Sequence, residues 1–357
     1  MVTSELAPVD LAVKQVKDKQ NFLFVGGAGS GKTESLKRLV EKILSEDSSL
    51  KIACITHTNK AVEEISGRVS MDIAVSTIHS FLNSLISTFK NDIKSVFPVL
   101  FKLPNFEARK VESYENDETV WKKGEHSRYT KLYKKTDAKF RLIFGNGLDR
   151  EAFKKDYDAS PSEFNAQLNK YINQVNSTIG EQIESSDLEN FNYNETRFDS
   201  FENKTFGHDG LIKVAVELLN KFPVLGKIVS SKYDCLFIDE YQDTDPDLLE
   251  ALLNRFNSNN LVVGLFGDPE QAIYQDRISV VQPYLDAEKL YKIQKEDNFR
   301  SSQPVIDLAN KFRTDGLTQE LRLKDDEELS DRNGSAMFLY SILPEIPADM
   351  EKAEQKK

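Results

Sequence analysis

Residues 26–33 read Gly26-Gly27-Ala28-Gly29-Ser30-Gly31-Lys32-Thr33, and this glycine-rich stretch decides the fold. A short apolar run at 21–25 precedes it, and apolar residues at helical spacing follow it at 34–44. Glycines let consecutive backbone N–H groups turn towards one anion, and a helix N-terminus adds further N–H groups and a favourable dipole. A strand, the pattern G-x-x-x-x-G-K-[ST] and a helix together predict a phosphate-binding loop.

Two side chains of this loop have distinct expected roles. Lys32 would neutralise the β- and γ-phosphates of a nucleoside triphosphate, and the Thr33 hydroxyl would bind Mg²⁺. All eight residues of 26–33 are therefore predicted nucleotide ligands. A glycine-rich turn that carries Lys-Thr by chance is the alternative, and the flanking strand and helix patterns disfavour it.

The composition limits the class of protein. A chain of 357 residues predicts about two or three domains. The two cysteines, Cys54 and Cys235, lie in apolar runs and indicate reduced core residues rather than a disulfide framework. No apolar run approaches the roughly 20 residues of a membrane span, and the N-terminus has no signal segment, so we expect a cytoplasmic protein without a membrane partner. A net charge of −11 argues against indiscriminate coating of nucleic acid, although it allows a local basic channel.

Further apolar runs alternate with helical patterns along the chain. They lie at 51–55, 73–76, 234–239, 261–266 and 289–293. Repeated strand–helix units after a phosphate-binding loop predict an α/β fold with a parallel sheet. Residues 85–209 lack this alternation and are predicted to form an inserted, mainly helical subdomain.

Within the insertion, residues 121–141 carry a local excess of positive charge. They hold eight Lys or Arg against two acids, with Trp121, Tyr129, Tyr133 and Phe140 between them. Cations for phosphates and rings for bases would suit a single strand of nucleic acid. A solvated amphipathic helix whose rings face a small core explains the same pattern, and the sequence does not decide between the two.

An acidic pair ends the apolar run at 234–239. Asp239 would bind Mg²⁺, and Glu240 would orient and deprotonate a water in line with the γ-phosphate. Such a pair is common by chance and becomes specific only beside a phosphate-binding loop. A kinase of small molecules would not need the glutamate, so the pair favours nucleotide hydrolysis coupled to motion.

Polar segments follow the other predicted strands as well. They are Thr56-His57-Thr58-Asn59-Lys60-Ala61, Thr77-Ile78-His79-Ser80-Phe81, Asp239-Glu240-Tyr241-Gln242-Asp243, Gly267-Asp268-Pro269-Glu270-Gln271-Ala272-Ile273-Tyr274 and Asn298-Phe299-Arg300-Ser301. Together with the phosphate loop they resemble, in the same order, six motifs of superfamily 1 DNA helicases of the UvrD/Rep type. The resemblance covers about residues 20–315.

The resemblance implies ATP as the nucleotide, Mg²⁺ as the cofactor, and a role for individual residues. Gln271 would sense the γ-phosphate, and Gln242 would couple the ATP site to that sensor. Phe299 would stack on adenine, where the family usually has tyrosine, and Arg300 would stabilise charge on the γ-phosphate. The predicted catalytic residues are thus Lys32, Glu240, Gln271 and Arg300.

The resemblance also implies single-stranded or partly duplex DNA as a partner. The predicted DNA-binding residues are Thr56, His57, Asn59, Lys60, His79 and Tyr274. His57 replaces a phenylalanine that stacks on DNA in the family. Asp276 stands where the family commonly has tryptophan, and an acid cannot stack on a base.

In domain terms, the resemblance implies a RecA-like motor domain at 1–84 and 210–285, an accessory subdomain at 85–209, and the beginning of a second RecA-like domain at 286–357. The family's fifth and sixth motifs are not found, and Arg313, Arg322 and Arg332 lie in unrelated contexts. We therefore expect the second domain to be incomplete and the chain to be truncated.

Three functions remain open. The first is an ATP-dependent DNA helicase or translocase that hydrolyses ATP to ADP and phosphate, with 3′ to 5′ polarity by resemblance. The second is an ATPase or nucleotide-sensing subunit that regulates a partner nuclease in a DNA-processing or phage-defence complex. The third is a switch that binds ATP and hardly hydrolyses it.

Overall fold

The structure is a computed structural model that describes residues 6–68, 73–105, 118–148, 161–256, 261–272, 280–324 and 327–337. Its strands are β1 Phe22–Gly26, β2 Ile52–Thr56, β3 Ala74–Thr77, β4 Asn192–Tyr193, β5 Thr205–Phe206, β6 Cys235–Asp239, β7 Val262–Gly267, β8 Tyr291–Lys295, β9 Asp297–Asn298 and β10 Glu320–Leu321. Its α-helices are α1 Pro8–Lys17, α2 Lys32–Glu46, α3 Asn59–Arg68, α4 Ile78–Ile86, α5 Lys90–Val96, α6 Glu118–Phe144, α7 Pro161–Glu184, α8 His208–Lys221, α9 Val224–Lys232, α10 Pro246–Phe256, α11 Gln282–Asp286 and α12 Gln303–Phe312.

A six-stranded parallel sheet in the order β3-β2-β6-β7-β1-β8 forms the centre of the fold. Helices cover both of its faces, so its inner strands are short apolar runs without polar alternation. The prediction of a parallel α/β sheet with a phosphate-binding loop is confirmed. Both cysteines are free and buried within it.

Each face of the sheet has its own hydrophobic core. Successive residues of a strand point to opposite faces, and β1 shows this by placing Leu23 and Val25 in one core and Phe22 and Phe24 in the other. The second core also contains Phe237, whose ring centre lies 6.0 Å from that of Phe22. Helices α1 and α2 close this face, and α2 thereby has its N-terminus fixed at the sheet edge.

The described part of the insertion is mainly helical, as predicted. Helices α6 and α7 pack against each other, and the two-residue strands β4 and β5 pair in parallel after them. Among the helices that the structure describes, none is long and apolar enough to cross a membrane.

The main sheet extends past residue 285, where the sequence placed the start of the second domain. Strand β8 pairs with β1 along its whole length, from Phe22 opposite Tyr291 to Gly26 opposite Lys295. A separate parallel pair follows, in which β9 and β10 are joined through α12. This small strand–helix–strand unit begins at Asp297. Its first strand continues almost directly from β8, so composition does not mark the change of sheet.

Candidate active site

Several strands end at the same edge of the main sheet, and their loops form one site. In the parallel register, Val25 lies opposite Gly267 and Asp239 lies opposite Phe266. The phosphate-binding loop, the acidic pair and the segment after β7 are therefore neighbours. The carboxyl edge of a parallel α/β sheet is where such folds bind ligands.

The loop at 26–33 has the geometry of a phosphate cradle. Gly29 and Gly31 have φ angles of 79° and 75°, in the left-handed region where a side chain would be strained. A Cβ on Gly26 would lie 2.5 Å from Ser30 Oγ, so the turn has no room for one. Within the described residues, Ser30 Oγ is buried without a hydrogen-bond partner. A buried, unsatisfied hydroxyl in a tight glycine turn fits a phosphate oxygen.

Lys32 reaches from the first turn of α2 back across the loop. Its side chain is only 8% exposed, and its Nζ atom donates a hydrogen bond to the Gly26 carbonyl oxygen at 3.2 Å. The same Nζ lies 3.9 Å from Glu240 Oε2. The ammonium group is thus held between the phosphate cradle and the acidic pair, where it can contact a bound triphosphate.

Asp239 provides a suitable position for a divalent cation. Burial, and then the charge of Glu240, raise the pKa of Asp239 to about 6, against the opposing effects of Lys32 and of a hydrogen bond from the Thr33 hydroxyl. A cation that prefers oxygen ligands would reduce the repulsion between the two close carboxylates and could also bind the hydroxyl of Thr33. In the described ranges no group of three or more His, Cys, Asp or Glu could hold a metal ion. A cation here would rest on Thr33, Asp239 and phosphate oxygens, which is the usual arrangement for Mg²⁺.

Glu240 is placed by an unusual backbone conformation. Its φ and ψ are 50° and 49°, a left-handed geometry that is uncommon for a residue with a side chain and recurs at functional sites. Gln242 Nε2 donates to Glu240 Oε2 at 2.7 Å, and Gln242 Oε1 accepts from the backbone N–H of Asp268 at 3.2 Å. Gln242 therefore links the carboxylate of Glu240 to the segment after β7. Gln271 lies in this segment and donates from Nε2 to Asp268 Oδ2 at 2.7 Å.

The segment after β9 lies directly on the phosphate-binding loop. The Phe299 N–H donates to the Gly29 carbonyl at 2.9 Å, and Asn298 Nδ2 donates to the Ala28 carbonyl at 3.0 Å. A Cβ on Gly29 would lie 2.6 Å from the Cβ atom of Arg300. Phe299, the predicted adenine contact, and Arg300, the predicted γ-phosphate contact, thus both lie next to the loop.

Some residues of the site had no recognisable signal in the sequence. Lys295 Nζ donates to Ser35 Oγ at 2.9 Å and lies 5.5 Å from the centre of the Phe299 ring. Gln319 Nε2 donates to the Ala28 carbonyl at 3.2 Å, and Arg332 donates to the carbonyl of Phe299. These residues come from polar stretches outside any motif, so only the folded chain identifies them.

The described residues of the predicted DNA-binding set lie at or after the ends of β2 and β3, and β2 is the neighbour of β6, which ends in the acidic pair. Asn59 and Lys60 are exposed in the first turn of α3. Thr56, the last residue of an inner strand, is only 2% exposed and offers little surface for DNA, so its assignment as a DNA ligand stays a prediction. Tyr274 lies outside the described residues.

Two histidines of this set make contacts within the protein. His57 Nε2 lies 3.0 Å from Thr244 Oγ1, just after the segment that contains Glu240. The His79 ring packs edge-on against that of His208, with 4.8 Å between ring centres. Burial, followed by the neighbouring imidazoles of His208 and His57, lowers the pKa of His79. At neutral pH it therefore offers an uncharged ring for stacking.

The basic cluster at 121–141 lies on helix α6, and the structure describes the side chains of its second half. Phe140 packs against Phe144 and Tyr171, with ring centres 4.5 and 6.0 Å away. Lys139 Nζ lies 4.4 Å from the ring centre of Phe101, and Arg141 pairs with Asp137. These contacts favour an amphipathic helix over a base-stacking surface for this half of the cluster.

The chain was compared with known proteins. Residues 10–292 match the family described as UvrD/REP helicase N-terminal domain. The chain is 27% identical over 373 residues to Gabija protein GajB of Bacillus cereus (strain HuB5-5), covering 94% of this chain and 52% of GajB. It is 27% identical over 328 residues to ATP-dependent DNA helicase PcrA of Bacillus subtilis (strain 168), covering 86% of this chain and 39% of that protein.

The PcrA of Staphylococcus epidermidis (strain ATCC 12228 / FDA PCI 1200) is 26% identical over 323 residues, which cover 81% of this chain and 37% of that protein. The chain thus spans about half the length of GajB and about two fifths of the PcrA proteins. The family match covers most of the described site, from the phosphate-binding loop to Gln271. By this match and by its loop, acidic pair and sheet, the chain belongs to the UvrD/REP helicase family and contains that family's N-terminal domain.

Proposed function

We propose that this chain is the ATP-hydrolysing motor domain of a UvrD-like DNA helicase or translocase, which converts ATP to ADP and phosphate and couples this to movement on single-stranded DNA. The observation that carries the proposal is the position of Glu240. Its carboxylate lies 3.9 Å from Lys32 Nζ and is fixed by Gln242 at 2.7 Å. A base held beside a phosphate-binding lysine suits hydrolysis of a triphosphate.

In this proposal each residue of the site has a separate role. Lys32 and the backbone N–H groups of the loop bind the β- and γ-phosphates. Glu240 accepts a proton from the attacking water, and Gln271 contacts the γ-phosphate. Arg300 stabilises the negative charge that develops on the γ-phosphate. Mg²⁺, held by Thr33 and Asp239, would neutralise charge on the β- and γ-phosphate oxygens.

DNA would lie at the ends of β2 and β3, next to the ATP site. His57 contacts Thr244 at 3.0 Å, and the Thr244 N–H donates to the Tyr241 carbonyl at 3.0 Å. Tyr241 directly follows Glu240. A DNA strand that displaces the His57 ring would therefore act on the turn that positions the base. By resemblance to the family, movement on DNA would have 3′ to 5′ polarity, and the protein would act in the cytoplasm.

A second proposed function is a nucleotide-sensing subunit that regulates a partner nuclease, and an apolar stripe on α12 is compatible with such a partner. Helix α12 exposes Val305, Leu308 and Phe312 by 39%, 42% and 72%. Their spacing places them on one side of the helix, where each remains at least 39% exposed. Such a stripe needs a partner, which is either a further domain of a motor or another protein.

The test is the rate of phosphate release from ATP with and without a thymidine oligonucleotide. We expect measurable hydrolysis that the oligonucleotide stimulates, because the DNA residues adjoin the turn that holds Glu240. Hydrolysis that requires an added nuclease subunit would favour the second function. Absence of hydrolysis under all of these conditions, with ATP bound, would contradict the motor and would support a subunit or switch that binds ATP without hydrolysing it.

A further inference from the structure

Residues directly after helix α12 form hydrogen bonds to the segment that contains Gln271. Arg313 Nη2 donates to Asp268 Oδ1 at 2.9 Å, and Arg313 Nη1 donates to Asp268 Oδ2 at 3.2 Å. The side chains of Arg313 and Asp268 are 8% and 2% exposed. A buried bidentate pair of this kind fixes the plane of the carboxylate as well as its distance.

Neighbouring residues extend this contact into a clasp, formed by Arg313, Thr314 and Asp315. The Thr314 N–H and hydroxyl donate to Glu270 Oε1 at 2.8 and 2.7 Å. Asp315 accepts from Arg313 Nε and Nη2 at 3.0 and 2.6 Å. The guanidinium is thus shared between two carboxylates. Removing it would leave Asp268 as a buried charge without its cation, which is the costly way to break a buried pair.

The same carboxylate orients Gln271. Asp268 Oδ2 accepts from Gln271 Nε2 at 2.7 Å while it also accepts from Arg313. The amide nitrogen of glutamine carries two hydrogens, so this bond leaves one hydrogen for a phosphate oxygen. Without Arg313, the Asp268 carboxylate would be held only by Gln271 and by the backbone N–H of Glu270 at 3.2 Å, so the direction of the Gln271 amide would be less fixed.

Helix α12 connects this clasp to the other side of the nucleotide. It begins shortly after Phe299 and Arg300 and ends immediately before Arg313. Its ten residues span about 15 Å as a rigid element. Phe299, the predicted adenine contact, and Arg313, which binds Asp268, therefore lie just beyond opposite ends of one helix.

We propose that Arg313 is a positioning residue for γ-phosphate sensing, which acts through Asp268 on Gln271. This inference rests on the proposed ATP site. The ion pair keeps the Gln271 amide directed at the γ-phosphate, so the protein distinguishes ATP from ADP. A hydrogen bond to a charged group contributes about 1.5 kcal/mol or more, and loss of one corresponds to about a tenfold change in binding.

The experiment measures the ratio of ATP to ADP affinity by titration for the wild type, Arg313→Gln and Gln271→Ala. We expect Arg313→Gln to reduce the preference for ATP about tenfold and to leave ADP affinity unchanged, because ADP lacks the γ-phosphate. Arg322→Gln is the matched control. Arg322 pairs with Asp297 at 2.9 Å but is 56% exposed and does not touch the segment of Gln271. Its substitution should leave the ratio unchanged.

Two further variants keep the test decisive. Arg313→Lys preserves the charge and the fold but cannot form the bidentate pair, so it should also reduce the ratio. In the double variant with Gln271→Ala, Arg313→Gln should add nothing, because both act through one amide. Additive losses of the ATP-to-ADP ratio in the double variant would overturn this inference but not the proposed function. Arg313 variants that keep the wild-type ratio would do the same. A wild type that binds ATP no better than ADP would also overturn it. Failure of the wild type to bind any nucleotide would overturn the proposed function and this inference together.

Discussion

Glu240→Gln is expected to bind ATP with about wild-type affinity and to lose turnover by roughly a thousandfold. The amide has the shape of the carboxylate, but it cannot accept the proton of the attacking water. Glu240 is partly exposed, it is held by Gln242 at 2.7 Å, and its charge raises the pKa of Asp239. Replacing that charge removes repulsion towards a triphosphate, so affinity should not fall.

The measurement for Glu240→Gln combines a nucleotide titration with phosphate release under single-turnover conditions. Glu250→Gln is a suitable control, because Glu250 is an exposed carboxylate on α10 away from the sheet edge. Phosphate release at the wild-type rate would contradict the assignment of Glu240 as the base. Loss of binding together with turnover would instead assign it a structural role.

Lys32→Ala is expected to weaken ATP binding by about a hundredfold, which corresponds to roughly 3 kcal/mol. The Lys32 side chain is 8% exposed and lies between the loop and the acidic pair. Without its charge, a triphosphate would face Asp239 and Glu240 with no protein cation at the loop's centre. The variant should also bind ADP more weakly, because the β-phosphate loses the same contact.

The titration of Lys32→Ala is compared with that of Lys37→Ala. Lys37 lies on the same helix and pairs with Glu41 at 3.8 Å, so it controls for the loss of a lysine from α2. Thermal unfolding of both variants shows whether the fold is retained. An unchanged ATP affinity of Lys32→Ala would place the nucleotide elsewhere.

Much of the site could be predicted from the sequence, because its residues follow apolar strands directly. Strand ends meet at one edge of a parallel sheet, so Asp239, Gln271 and the loop at 26–33 had to be neighbours. The backbone of Gly29 and Gly31 likewise follows from residue type. Short sequence patterns of this kind predict both the fold and the position of the site within it.

The rest depends on contacts between distant parts of the chain, which leave no periodicity. Arg313 lies in no motif, and only the folding of α12 brings it to Asp268, 45 residues away in sequence. The run at 289–293 was predicted as a strand, but the resemblance assigned it to the second domain, and only its pairing with β1 shows that it is the edge strand of the main sheet. Thr56 was assigned to DNA from its motif, while its burial depends on the strands on either side.

The most direct test of the ATP site is a crystal structure with Mg²⁺ and a non-hydrolysable ATP analogue. The account predicts the β-phosphate inside the loop at 26–33, the metal ion between Thr33 and Asp239, and the γ-phosphate facing Glu240 and Gln271. A nucleotide bound away from this loop, or a metal ion that Asp239 does not approach, would contradict the account.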